Sequence, residues 1–499
     1  MSMTEDASAY FRQVASRWDA IRAGYFGPEV REAAIAKAYV RPEMVVADVG
    51  AGTGFLTASL APLVRQVHAV DGSDAMLEQA KTNLAAFENV EYHHADGAQL
   101  PFPDASLDAV FANMYLHHAP DPLAAIREMA RVLRPGGRLV ITDMDAHPYA
   151  WLKEEMADLW QGFDRAQVRE WYQEAGLVNV VVDCTGQSCC AESANTAPAS
   201  DEVRQAEISV FVAAGTRRLA MREAVQANYA AVAQAGAPCG CSAPDRPAGQ
   251  SAGACCAPGS SSSCCSGDPQ VTFSTGYAHG DLSAAPKEAA ELSLGCGNPI
   301  AMANLKPGEV VVDIGSGGGL DAFLAASKVG PTGNVIGVDM TLAMLERARA
   351  AAASSGIRNV EFRQGFAEAL PVADGAADVI LSNCVINLTE DKGHVFREAF
   401  RVLKPGGRLE VSDMVTSGPM PFGALEDASG WAECITGALP EQEYLDLIRQ
   451  AGFEAVTTRR SASAGEAHGV AVYSLIVSAQ KPGPYRRKVS ILNRFRPVG

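Results

Sequence analysis

The residues of this chain best suited to chemistry are twelve cysteines and two glycine-rich loops. The cysteines are Cys184, Cys189, Cys190, Cys239, Cys241, Cys255, Cys256, Cys264, Cys265, Cys296, Cys384 and Cys434, with three adjacent pairs and one Cys-x-Cys. A chain of 499 residues is too long for a small disulfide scaffold. Thiols at this density suit a soft, thiophilic species. Zinc fits them less well, because paired Cys-x2-Cys arms with histidines are missing. The glycine loops are Gly50-Ala51-Gly52-Thr53-Gly54 and Gly315-Ser316-Gly317-Gly318-Gly319, each with an acid just before it, Asp48 or Asp313. A loop without side chains lets backbone approach a ligand closely. A second acid, Asp71 or Asp339, follows 23 or 26 residues after the first. That is one strand–helix–strand step, and it sets a carboxylate where it can accept both hydroxyls of a ribose.

These groups need a framework, and the chain carries it twice. Val45–Gly54 returns as Val310–Gly319, Asp71 with Ala75-Met76-Leu77 as Asp339 with Ala343-Met344-Leu345, and Arg134-Pro135-Gly136-Gly137-Arg138-Leu139 as Lys404-Pro405-Gly406-Gly407-Arg408-Leu409. Two nucleotide-binding domains therefore lie in tandem. In the first, residues 1–40 read as helices with an apolar stripe through Phe11, Val14, Trp18 and Ile21. Strands are expected at Val45–Val49, Val67–Val70, Leu107–Ala112 and Arg138–Thr142, with a helix over Ala124–Leu133 stopped by Pro135-Gly136-Gly137. Such alternation predicts a parallel sheet with helices on both faces. Val178–Val182 and Glu207–Ala213 read as a closing antiparallel pair. Cys184, Cys189 and Cys190 follow the first of these, and residues 191–200 read as an insertion.

The expected domains are 1–216, a helix and Cys/Ser/Gly-rich linker over 217–274, a second domain over 275–480, and a basic tail over 481–499. The linker composition of 236–270 cannot bury enough apolar surface to order itself. A net charge of −17 argues against nonspecific nucleic-acid binding. No apolar run reaches the length of a membrane span, and the N-terminus reads as free of a secretory signal. A cytoplasmic setting with reduced thiols is expected.

The tight GxGxG form, the acid before it and the Pro-Gly-Gly-Arg-Leu turn resemble class I S-adenosylmethionine methyltransferases in both halves. The fold class expected is thus α/β, two tandem Rossmann-like class I domains with a mainly parallel sheet and an antiparallel edge. The resemblance implies that Asp48, Gly50, Gly52, Gly54, Asp71, Met76, Asp96, Gly97 and Asn113 hold the cofactor in the first half. In the second, it implies Asp313, Gly315, Gly317, Gly319, Asp339, Met340, Met344 and Asn383. There the adenine acid is replaced by Phe366, which can stack on the base instead.

Leu294-Gly295-Cys296-Gly297-Asn298-Pro299, Thr332–Met340, Ser382-Asn383-Cys384-Val385-Ile386-Asn387-Leu388 and Trp431–Leu439 resemble arsenite methyltransferases. The likeness extends over roughly residues 221–480. It implies that Cys296, Cys384 and Cys434 bind trivalent arsenic, arsenite or methylarsenite, beside S-adenosylmethionine. It also implies thioredoxin or glutathione as reductant. Cys239, Cys241, Cys255, Cys256, Cys264 and Cys265 are candidates for capturing arsenite. In the first half Met114 stands where Cys384 stands in the second, so that half reads as an auxiliary methyltransferase, with His117 or His118 a candidate general base or a lining residue. Two rival readings use the same residues: a thiol-rich metalloid-sequestering protein regulated by S-adenosylmethionine, and a methyltransferase of another small molecule.

Overall fold

Runs such as Val45–Val49 and Val310–Ile314 have no polar face, and each is a strand buried on both sides, as central strands of a parallel sheet must be. The computed structural model describes residues 10–192, 205–235, 285–291 and 297–483. In the first half the strands are β1 (Val45–Val49), β2 (Gln66–Asp71), β3 (Val90–His94), β4 (Leu107–Asn113), β5 (Leu133–Met144), β6 (Leu177–Glu192) and β7 (Gln205–Arg217). In the second they are β8 (Val310–Ile314), β9 (Asn334–Asp339), β10 (Val360–Gln364), β11 (Ala377–Asn383), β12 (Leu403–Thr416), β13 (Glu454–Ala467) and β14 (Val470–Gln480). The sheets have the same order, β3-β2-β1-β4-β5-β7-β6 and β10-β9-β8-β11-β12-β14-β13. Five strands of each are parallel, and the last two pair antiparallel. The order reverses beside β1 and β8, and open α/β sheets bind ligands at that switch point.

Two details differ from the sequence reading. The Arg134-Pro135-Gly136-Gly137 segment is not a turn before the strand, because β5 already starts at Leu133 and absorbs it as a bulge against β4. Arg134 pairs there with Asp108, whose carboxylate also accepts the Val45 N–H at 2.7 Å. Lys404, Asp378 and Val310 repeat the arrangement. Cys184, Cys189 and Cys190 do not follow a strand; they lie inside β6, which runs on to Glu192.

The helix Arg222–Ala235 packs against the second half, on the helices Leu342–Ser355 and Ala428–Ala432. The two halves share a buried seam. Val181 of β6 joins the C-terminal hydrophobic core, and Phe422 packs on the N-terminal one. Arg138 and Glu443 form a buried ion pair at 3.0 Å. Asn179, left-handed at φ +52°, donates to Glu390 O at 3.0 Å and accepts from Lys392 N at 2.9 Å. Among the described residues no helix is long and apolar enough to cross a membrane.

Candidate active sites of the two halves

Both glycine loops turn on left-handed residues: Gly50, Gly52 and Gly54 have φ of +72°, +54° and +92°, and Gly315, Gly317 and Gly319 have +69°, +49° and +93°. Only glycine adopts these angles without strain. Space forbids larger residues as well. A Cβ on Gly50 would lie 2.5 Å from the Tyr115 ring, and one on Gly315 would lie 2.3 Å from Val385. Asp71 accepts the N–H groups of Gly52 and Ser73, each at 2.8 Å; Asp339 accepts those of Gly317 at 2.9 Å and Thr341 at 2.8 Å. The loop thus shapes itself around the acid that faces the ligand.

Asp48 accepts the Thr57 hydroxyl at 2.6 Å through one oxygen. Its other oxygen, and Oδ2 of Asp313, are buried without a hydrogen-bond partner among the described residues. Burial pushes the Asp48 carboxyl up to about 6, and burial with neighbouring Asp321 and Asp339 raises Asp313 as well. An unsatisfied buried carboxylate costs free energy that a cationic ligand can recover.

Of the residues expected from sequence, Gly50, Gly52, Asp71, Met76, Asp96, Gly97 and Asn113 line one cavity of about 580 Å³. Asp313, Gly315, Gly317, Asp339, Met340, Met344, Phe366 and Asn383 line a second of about 120 Å³. Asp48, Gly54 and Gly319 stand behind the loops; a Cβ on Gly54 would strike Leu84, and one on Gly319 would strike Phe323. Phe366 is 40% exposed and carries the Arg222 guanidinium 4.9 Å from its ring centre. The sequence reading passed over Arg222 and Tyr115 as ligand-facing groups. Tyr115 could have been found from its place just after β4, at the ligand edge of the sheet.

Cys384 directly follows β11 and has φ +56°, as Met114 has +52° after β4. Its N–H donates to Ser412 O at 2.8 Å, which locks this unusual conformation. It lines the second cavity and is 4% exposed. Its sulfur is in a disulfide, whereas that of Cys434 is not. Cys434, at φ +63° and 6% exposed, donates from Sγ to the Cys384 carbonyl at 3.1 Å. Asn387 donates to Cys434 O at 3.3 Å, and Asn383 donates to Gly297 O at 2.8 Å. Cys384, Cys434 and the chain at Gly297 therefore converge. Cys296 lies outside the described residues, as do Cys239, Cys241, Cys255, Cys256, Cys264 and Cys265. Met414, Met420, Trp431 and Val225 pack around the two cysteines. The helix Arg222–Ala235 closes the side, with Gln226 donating to Met340 O at 3.0 Å and Tyr229 to Ala432 O at 3.2 Å.

The first half has different equipment. Cys189 lines its cavity and is buried, which pushes the thiol up to about 12, whereas Cys184 and Cys190 are exposed. A strand turns successive side chains to opposite faces, so Cys189 and Cys190 do not converge. His117 and His118 both line the cavity, with ring centres 4.1 Å apart. His117 bonds Asp143 through Nδ1 at 2.7 Å, and its Nε2 stands 3.7 Å from Asp158. In the second half Asn387 and Leu388 occupy these two positions.

Family models described as methyltransferase domains match residues 47–141 and 305–452. The chain is a tandem of two class I methyltransferase domains. Its curated relatives include the arsenite methyltransferase of Halobacterium salinarum, 46% identical over 195 residues, which are 39% of this chain and 50% of that protein. The enzyme of the same name from Aquipseudomonas alcaligenes is 42% identical over 34% of this chain and 51% of its own length. The chain thus spans about half the length of these curated relatives. Among solved structures, the arsenic(III) S-adenosylmethionine methyltransferase of Chlamydomonas reinhardtii is 34% identical, over 41% of this chain and 73% of its own, with a TM-score of 0.37.

The cofactor of this tandem methyltransferase is S-adenosylmethionine, and the residues present fit it. Asp313 supplies an unsatisfied carboxylate oxygen beside the second cavity for a cation, Gly317 leaves open space where a Cβ would sit, and Asp71 and Asp339 present carboxylates for ribose hydroxyls.

Proposed function

We propose that the C-terminal methyltransferase domain methylates trivalent arsenic held by Cys384, Cys434 and Cys296. The observation that carries this reading is the contact of Cys434 with Cys384, which lines the cofactor cavity, with Cys434 Sγ 3.1 Å from the Cys384 carbonyl. The likeness to arsenite methyltransferases over part of the chain supports it.

S-adenosylmethionine supplies an electrophilic methyl group on a sulfonium. The chain's own residues do the rest. Thiolates replace the hydroxyls of arsenite and fix its pyramid, so that the arsenic lone pair is directed rather than free to tumble. Trp431, Met414 and Met420 surround the thiols with apolar surface and exclude water. A lone pair carries no proton, so the site needs no base. Asn387 and Leu388 stand where the first half carries imidazoles. Methyl transfer to arsenic removes two electrons from it, and closure of two thiols to a disulfide returns them. A dithiol reductant of the thioredoxin or glutathione class then reopens the disulfide. Cys255, Cys256, Cys264 and Cys265 are placed in this scheme as upstream capture thiols.

The test is methylated arsenic produced by the full chain from arsenite, S-adenosylmethionine and a dithiol, separated by chromatography with elemental detection. Cys384→Ser and Cys434→Ser should each lose the product. Wild-type product formation by the double variant would refute the reading.

A further inference from the structure

The N-terminal cavity holds groups that methylation of a lone pair does not need. His117 has carboxylates at both ring nitrogens, Asp143 Oδ1 2.7 Å from Nδ1 and Asp158 Oδ1 3.7 Å from Nε2, and its backbone N–H donates to Asp143 Oδ2 at 3.2 Å. That surrounding suits a ring with both nitrogens protonated. Burial opposes the charge, but Asp143 and Asp158 outweigh it and hold the pKa at about 9. His118 is placed otherwise. Its Nδ1 donates to Ala157 O at 3.2 Å, which leaves the lone pair on Nε2. Its side chain keeps 16% exposure and faces the cavity, with the Phe11 ring edge-on at 5.1 Å between centres. Burial and the neighbouring His117 cation lower its pKa well below the usual value, so it is neutral. Adjacent imidazoles driven apart in this way hold one proton fixed and leave one base open.

We propose that the N-terminal domain is a second, independent methyl-transfer centre whose substrate is a small aromatic compound with an acidic hydroxyl, a phenol, and that His118 Nε2 accepts its proton. The aromatic lining selects the class: Phe11, Trp18, Tyr25, Phe26 and Phe55 face the cavity, with Met156 hydrogen-bonded by Tyr25 at 3.2 Å. The O–H bond breaks and the proton passes to His118. The oxygen forms a bond to the methyl carbon as the sulfonium carbon–sulfur bond breaks and its electron pair stays on sulfur. The proton on His118 leaves to solvent. His117 and Asp143 are positioning residues, which keep the neighbouring ring neutral and in place. The other ionisable groups around the pair include Tyr10, His147, Lys153, Glu155, Asp158 and Cys189. The C-terminal half replaces both imidazoles, and the N-terminal half replaces Cys384 with Met114, so the halves divide along the protonation of the nucleophile. This inference rests on the tandem methyltransferase fold and is separate from the reading of arsenic chemistry.

The probe is 4-nitrophenol, whose phenolate absorbs visible light. With S-adenosylhomocysteine present to exclude turnover, it should bind to the full chain; with S-adenosylmethionine it should be methylated, read as loss of that band at alkaline pH. His118→Gln should bind it equally well and should lower its methylation by about 10²–10⁴-fold at unchanged KM. His117→Gln, which removes the cation beside His118, should shift the pH profile of kcat. Absence of binding would overturn the substrate class. Wild-type kcat in His118→Gln, with native circular dichroism, would overturn the assigned proton acceptor.

Discussion

Asn179 ties the two halves at the point that matters most for the thiol site. It is 5% exposed and makes two hydrogen bonds to the backbone of Glu390 and Lys392. That backbone continues from the Ile386–Leu388 turn, just after Cys384. Asn179→Gly is the informative change, because glycine tolerates φ +52° while alanine would add about 1–2 kcal/mol of left-handed strain. The substitution strands one buried N–H and one buried carbonyl, at about 1–3 kcal/mol each. Taking about 3 kcal/mol in all, the docking equilibrium constant of segment 386–392 falls roughly 100-fold. Hydrogen exchange of amides 386–392 should accelerate by about that factor, and arsenite methylation should fall in kcat/KM by at least about tenfold. Exchange in this segment matching the wild type would refute the claim that the N-terminal domain braces the loop.

Two further outcomes follow from the sites themselves. Calorimetry with S-adenosylhomocysteine should count two sites per chain; Gly50→Ala should remove one, because of the Tyr115 ring, and Gly315→Ala the other, because of Val385. A chain that keeps both sites in either variant would contradict the loop geometry. Stability should also depend on pH through His117. Its folded pKa, about 9, exceeds the unfolded value of about 6.5, so its contribution is complete below about 6.5 and disappears as pH rises through about 9. Neutral His118 works in the opposite sense, since its lowered pKa costs stability as pH falls below about 6.5. Thermal melts of the wild type should show an alkaline loss that His117→Gln flattens.

The glycine loops, Asp48, Asp71 and their counterparts were legible from sequence because each is set by a local strand–loop–helix step. The place of Cys384 was legible for the same reason, since it directly follows a strand at the ligand edge. The meeting of Cys434 with Cys384 came only through family likeness; 50 residues separate them, and only the folded sheet brings them together. The run of β6 through Cys184, Cys189 and Cys190 was missed because small and polar residues there gave no strand alternation, and pairing with β7 supplies the order. Asn179 gave no local signal at all, because its partners belong to the other domain. His117 and His118 were visible as candidates, but their division into a fixed cation and an open base depends on Asp143, Asp158 and Ala157, which the fold assembles.

Val181 fills a place in the neighbour's hydrophobic core, and Phe422 returns the exchange. Cutting the polypeptide between the repeats would leave a hole on one side and an unwelcome greasy knob on the other. Separate expression of either repeat would then report on a damaged fragment. Loss of activity in such a fragment would say little about which repeat performs which reaction, so single substitutions in the intact chain are the sounder dissection.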